Sequence, residues 1–219
     1  MPHVLQVSPR APEPDPMARA AAALREGLLV AFPTDTVYGL ACDPGDPAAV
    51  DRLYAAKGRP RDLPLILLLA DADDAPALAR DWPPAAQEAA DHFWPGPLTL
   101  VVPRAPSVPA AITAGRDSIG LRVPDHAVAR AFIRAAGFAP ATTSANRSGG
   151  PDPLTAAQAL EALGPHLAVV LDAGPVPLGA PSTVLDLTQS PPVVLRQGAL
   201  SLDDLRRVLP DIGAPRQAP

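Results

Sequence analysis

Apolar residues fall along this chain in short blocks separated by amphipathic stretches. LLVAF at 28–32, LILLL at 65–69, LTLVV at 98–102 and IGLRV at 119–123 read as buried strands. AVVLD at 168–172, STVLDL at 182–187 and VVLRQ at 193–197 extend the series. Helical patterns lie between them. One covers 16–26 and ends near Gly27, and a second starts from Asp46 as cap and Pro47 as first residue and runs to Ala56. Others cover 73–93 and 125–136, then Thr155 to Gly164, and finally Ser201, with Asp204 as a capping box, to 209. Strands and helices alternate, but the last strands follow one another through short Pro-Gly turns. That pattern predicts an α/β fold with a mixed sheet. Residues 1–15 are proline-rich and predict a loose segment or an extended edge. A single domain is expected over 16–210, with 211–219 as a flexible tail.

Composition narrows the classes. A chain of 219 residues with 47% hydrophobic positions is long enough to bury a sizeable core. The formal net charge of -5 argues against a protein that coats nucleic acid over its whole surface. One cysteine, Cys42, excludes an internal disulfide and a Cys-rich metal site, and reads as a small buried residue. The four histidines (His3, His92, His126, His166) have no metal-ligand spacing. The first residues lack the apolar stretch of a signal peptide, and LPLILLLA at 63–70 is too short to span a bilayer, so a cytoplasmic protein is expected, with no membrane partner. Of the 18 basic residues only Lys57 is lysine, and Asn146 is the only asparagine. In a chain so rich in Arg, Ala and Pro, those two single occurrences single themselves out.

Four segments pass from a strand-like run to polar groups with Gly or Pro: FPTDTVYG at 32–39, KGRP at 57–60, TTSANRSGG at 142–150 and GAPSTV at 179–184. Binding groups tend to sit where a rigid strand hands over to a loop. Lys57, Arg59 and Arg61 lie close enough to clamp a polyphosphate or carboxylate, although taken alone they read more readily as a solvated basic turn. The hydroxyls and glycines of 142–150 can form an anion nest. There is no G-x-x-x-x-G-K-[ST], no G-x-G-x-x-G and no G-x-S-x-G, which excludes a P-loop, a dinucleotide fingerprint and a nucleophile elbow.

Taken in order, FPTDTVYGL, KGRP, WPGPLTLVV, IGLRVPDH, TSANRSG, PSTVLDL and LRQGA resemble the YrdC/Sua5 family of threonylcarbamoyl-AMP synthases over roughly residues 16–200. The family's K-x-R and S-x-N signatures fall on Lys57 with Arg59 and on Ser144 with Asn146. The resemblance implies a YrdC-like twisted mixed sheet, flanked by helices, around a large basic cavity. It implies a short single-domain member that converts L-threonine, bicarbonate and ATP into threonylcarbamoyl-adenylate and pyrophosphate, with Mg²⁺ carried by the ATP phosphates. The product would feed the tRNA threonylcarbamoyl transferase machinery acting at adenosine 37. It implies Lys57 and Arg59 as the catalytic pair on the ATP phosphates. Ser118, Ser144, Asn146 and Arg196 would complete the ATP site. Thr34, Arg122, Thr142 and Ser182 would bind L-threonine. Weak RNA binding in the same cavity is the competing reading, which the net charge disfavours. One departure stands out: relatives carry a polar residue before PL and a histidine at the end of that strand, where this chain has Leu63 and Leu68.

Overall fold

The computed structural model describes residues 1–213. Ten strands form one mixed sheet: β1 (His3–Gln6), β2 (Val30–Phe32), β3 (Gly39–Cys42), β4 (Ile66–Leu68), β5 (Leu98–Pro103), β6 (Ser118–Arg122), β7 (Ala141–Ser144), β8 (Val169–Asp172), β9 (Thr183–Asp186) and β10 (Val193–Arg196). Their order across the sheet is β1-β8-β2-β3-β7-β4-β6-β5-β9-β10. The pairs β1–β8, β2–β8, β4–β6 and β5–β9 are parallel and the others antiparallel, as the mixed-sheet expectation requires.

Six helices accompany the sheet: α1 (Pro14–Arg25), α2 (Pro47–Lys57), α3 (Pro84–Phe93), α4 (Ala127–Ala136), α5 (Ala156–Leu163) and α6 (Leu202–Val208). Their ends follow local chemistry. Asp46 caps α2 by accepting from the Ala48 amide, and Gly58 closes it with a left-handed φ of 59°. Reciprocal capping boxes start α5 at Thr155 with Gln158 and α6 at Ser201 with Asp204.

The two faces of the sheet are covered differently. Leu40, Leu67, Leu100 and Leu121 point to a large core shared with α2, α3, α5 and α6. The opposite face carries Val30, Phe32, Leu68, Val169 and Leu171, which meet α1 and α4 in a second core. There Phe132 packs on Phe32 with ring centroids 5.1 Å apart. Beyond the reach of α1 and α4 this second face is open.

Of the two readings of residues 1–15, the extended edge is the one that forms: His3–Gln6 pair in parallel with Val169–Asp172, because β8 would otherwise present an unpaired edge. Two other readings change. The stretch 73–93 is not one helix. Pro76 opens a 3₁₀ turn over Pro76–Leu78 after another at Ala72–Asp74, and the prolines at 83 and 84 allow an α-helix only from Pro84 onward. Gly39–Cys42 was not among the expected strands, since four residues buried on both faces show no alternation. Of the expected flexible tail, 214–219 lie outside the described residues, while Gly213 bridges Val193.

Truncating Phe132 should leave a large hole between α4 and β2. Phe132→Ala is expected to lower stability by about 3–5 kcal/mol, read as a shift in the urea midpoint with little change in slope.

Candidate active site

The open part of the sheet forms a cavity of about 620 Å³. Alternation along a strand places every second residue on its wall. Thr142 and Ser144 come from β7, Ile66 and Leu68 from β4, Ser118, Gly120 and Arg122 from β6, Thr99 and Val101 from β5, and Val184 and Asp186 from β9. The register aligns Thr142, Ile66, Gly120, Val101 and Asp186 as one row across five strands. Gly120 keeps this row low: a Cβ there would come within 2.8 Å of Ile66 Cγ2. Loops complete the wall with Thr34, Arg59, Arg116, Asp152 and Ser182, and Arg196 closes it from β10.

At one end of the cavity lies a buried ion pair. Arg122 Nη2 donates to Asp35 Oδ1 at 2.5 Å, Nη1 to Thr36 Oγ1 at 2.9 Å, and Nε to the Gly96 carbonyl at 2.9 Å. Both side chains are only 5% exposed. Burial pushes the Asp35 carboxyl up, and Arg122 opposes the shift. Three of the five guanidinium N–H groups are used, leaving one on each Nη. The neighbouring Thr34 hydroxyl folds its own turn. It donates to the Val37 carbonyl at 2.7 Å and accepts from the Thr36 and Val37 amides.

On the far wall Arg196 Nη2 donates to the Ser182 carbonyl at 2.8 Å, and the Ser182 and Thr99 hydroxyls share a hydrogen bond. Arg59 donates from Nε and Nη2 to the carbonyls of Leu63 and Pro64. Burial lowers the pKa of both arginines, and Arg59 lowers that of Arg196 further, as like charges facing one space should.

Of the expected site residues, Thr34, Arg59, Ser118, Arg122, Thr142, Ser144, Ser182 and Arg196 line this one cavity. Lys57 and Asn146 do not. They sit behind the wall, bonded to each other, with Lys57 Nζ 2.9 Å from Asn146 Oδ1. Lys57 is 2% exposed, so the expected direct meeting with ATP phosphates is not what its surroundings offer. Arg116, Asp152, Asp186 and Thr99 were not anticipated on the wall. Strand register brings Thr99 and Asp186 there, and loop path brings Arg116 and Asp152. Leu63 and Leu68, the two positions where a departure from the family pattern was expected, both line the cavity and are apolar. Cys42 is buried in the core, as expected.

The Sua5/yciO/yrdC family model, with the description "Telomere recombination", matches residues 22–198. The chain belongs to this family. It is 44% identical over 193 residues to a threonylcarbamoyl-AMP synthase of Pyrococcus abyssi, covering 88% of this chain and 57% of the relative. It is 44% identical over 190 residues to a putative threonylcarbamoyl-AMP synthase of Mycobacterium tuberculosis, covering 87% of each. The crystal structure of P. abyssi Sua5 complexed with L-threonine matches 96% of this chain and 62% of that one, with a TM-score of 0.93 and 41% identity. The chain thus spans less than two thirds of the length of the P. abyssi protein.

The Arg122–Asp35 pair should resist the removal of one partner more than of both. Asp35→Asn leaves a buried guanidinium without its counter-charge and is expected to cost about 3–5 kcal/mol. Adding Arg122→Met should recover part of that loss. Urea unfolding of the single and double variants measures both, and an Asp35→Asn protein as stable as wild type would contradict the pair's importance.

Proposed function

We propose that this protein is a threonylcarbamoyl-AMP synthase that joins L-threonine, bicarbonate and ATP to give threonylcarbamoyl-adenylate and pyrophosphate. The observation that carries the reading is the convergence of Arg59, Arg116, Arg122 and Arg196 with hydroxyls on one cavity, in a chain whose relatives bear that name. The cavity holds four arginines against Asp152 and Asp186, and Asp186 is already engaged by Thr188 and Gln189. Its volume suits a nucleotide together with a small amino acid.

The two spare N–H groups of Arg122 are suited to a bidentate grip on the threonine carboxylate. Thr34, Thr142 and Ser182 line the same cavity and would orient the amine and hydroxyl. Arg59, Arg196, Ser118 and Ser144 would take the nucleotide, with Asn146 acting through its bond to Ser144. Threonine's amine adds to the bicarbonate carbon, a C–O bond breaks and water leaves, giving the carbamate. A carbamate oxygen then attacks the α-phosphorus, and the bond to the pyrophosphate oxygen breaks. Such a transfer needs positioning and charge stabilisation more than a side-chain base. Among the described residues no cluster of three or more acids, histidines or cysteines could hold a metal ion. That fits Mg²⁺ arriving on the phosphates with its waters, where Asp152 would offer a cavity carboxylate. Mg²⁺ would offset the charge of the phosphates.

The adenylate would pass to a tRNA threonylcarbamoyl transferase. No helix among the described residues is long and apolar enough to cross a membrane. A cytoplasmic site of action follows from that substrate set.

Purified protein should release pyrophosphate from ATP only when threonine and bicarbonate are both present, with the adenylate detected by mass spectrometry. Release that persists without bicarbonate would rule the reaction out. Ser144→Ala should weaken binding of an unreactive ATP analogue by roughly 5- to 150-fold, the equivalent of ~1–3 kcal/mol. Calorimetry measures it.

A further inference from the structure

Lys57 closes α2, and its side chain runs inward. Its ammonium has three N–H groups and meets three oxygens: the Ser144 carbonyl at 2.5 Å, the Asn146 carbonyl at 2.5 Å and Asn146 Oδ1 at 2.9 Å. Its own carbonyl accepts from the Ser148 amide at 2.9 Å. One residue therefore grips the 144–148 segment with both head group and backbone. The segment's remaining bonds depend on the same arrangement. Ser144 Oγ donates to Asn146 Oδ1 at 2.7 Å, the oxygen that Lys57 also holds, and Asn146 Nδ2 donates to the Gly150 carbonyl at 2.7 Å.

We propose that Lys57 is a positioning residue: its ammonium is an internal cation that holds the 144–150 loop so that Ser144 is presented to the nucleotide, and it does not itself touch substrate. The proposal rests on the nucleotide reading given above. Three facts favour it over a direct phosphate contact. Every N–H of the ammonium is already used. The residue does not line the cavity, whereas Arg59, two positions on, does. The oxygens converge on one point, which suits a compact ammonium and does not suit a planar guanidinium. That last fact explains why a chain with arginine at its other basic positions keeps lysine here. Burial and Arg59 draw the Lys57 pKa down to about 8, with Asp152 working the other way, so the cation that the cage requires persists at neutral pH.

Two measurements test this. The first is amide hydrogen exchange by NMR on the ligand-free protein. The amides of Ala145, Ser148 and Gly150 are bonded to Tyr38, Lys57 and Arg147 carbonyls. In Lys57→Met they should exchange about tenfold faster or more, while β5 and β6 keep wild-type protection. Wild-type protection of all three would overturn the proposal. Should the methionine variant not fold, Lys57→Arg serves, because the charge is kept and the geometry lost: the same loosening is expected, and wild-type protection again overturns the idea. The second is a cycle of Lys57→Met, Asn146→Ala and the double variant, read as affinity for an unreactive ATP analogue. Lys57→Met alone should weaken binding on the order of tenfold, but less than about twofold on top of Asn146→Ala. Losses that multiply independently would mean a direct contact. If wild-type protein does not bind the analogue, the nucleotide reading and the presentation of Ser144 to it both fall, while hydrogen exchange still decides whether Lys57 holds the loop.

Discussion

Burying both faces of a ten-stranded sheet takes more helix than this chain lays on it. One face is covered along its length by α2, α3, α5 and α6. The other is covered by α1 and α4 alone, over the strands near β8 and β2. The uncovered remainder is lined by a mixture: threonines, serines and arginines stand beside Gly120 and apolar groups such as Leu63, Ile66, Leu68, Val101 and Val184. The cavity is thus what partial coverage leaves, and the alternation of each strand decides which side chains it receives.

Charges placed there need partners, and the protein divides its cations by how they find them. Arg122 is buried and spends three N–H groups on Asp35, Thr36 and Gly96. Arg59 and Arg196 are braced by backbone carbonyls, which orient a guanidinium without cancelling its charge. Lys57 is fully consumed by the loop it holds. A cation whose N–H groups are all taken shapes a site, and one with N–H groups to spare, as Arg59, Arg122 and Arg196 have, can meet an anion.

The positions of β7 and α2 make this division work. β7 lies between β3 and β4, so its C-terminal end emerges beside the end of α2. The hydroxyl-rich loop after Ser144 and the Lys57 head group are about ninety positions apart in the chain and meet because of that strand order. Without it, the loop would carry several small polar groups on a permissive backbone and no reason to adopt one conformation.

Local chemistry was legible in the sequence. The caps at Asp46, Thr155 and Ser201 stand in the chain as they stand in the structure, because a cap depends on residues within one turn. Long apolar blocks such as 98–102 and 119–123 became strands where they were expected. The ordered motifs pointed to the family, and they picked out eight residues that do share one cavity. What the sequence left open depends on distant partners. Gly39–Cys42 is a strand because β2 and β7 flank it, and His3–Gln6 is one because β8 offers an edge. Arg116, Asp152 and Asp186 reach the wall through loop path and register, which carry no local signature. Lys57 and Asn146 were conspicuous as single occurrences, but only the fold sets them against each other, behind the wall instead of on it, since which way a buried head group points is decided by the oxygens that tertiary packing brings within its reach.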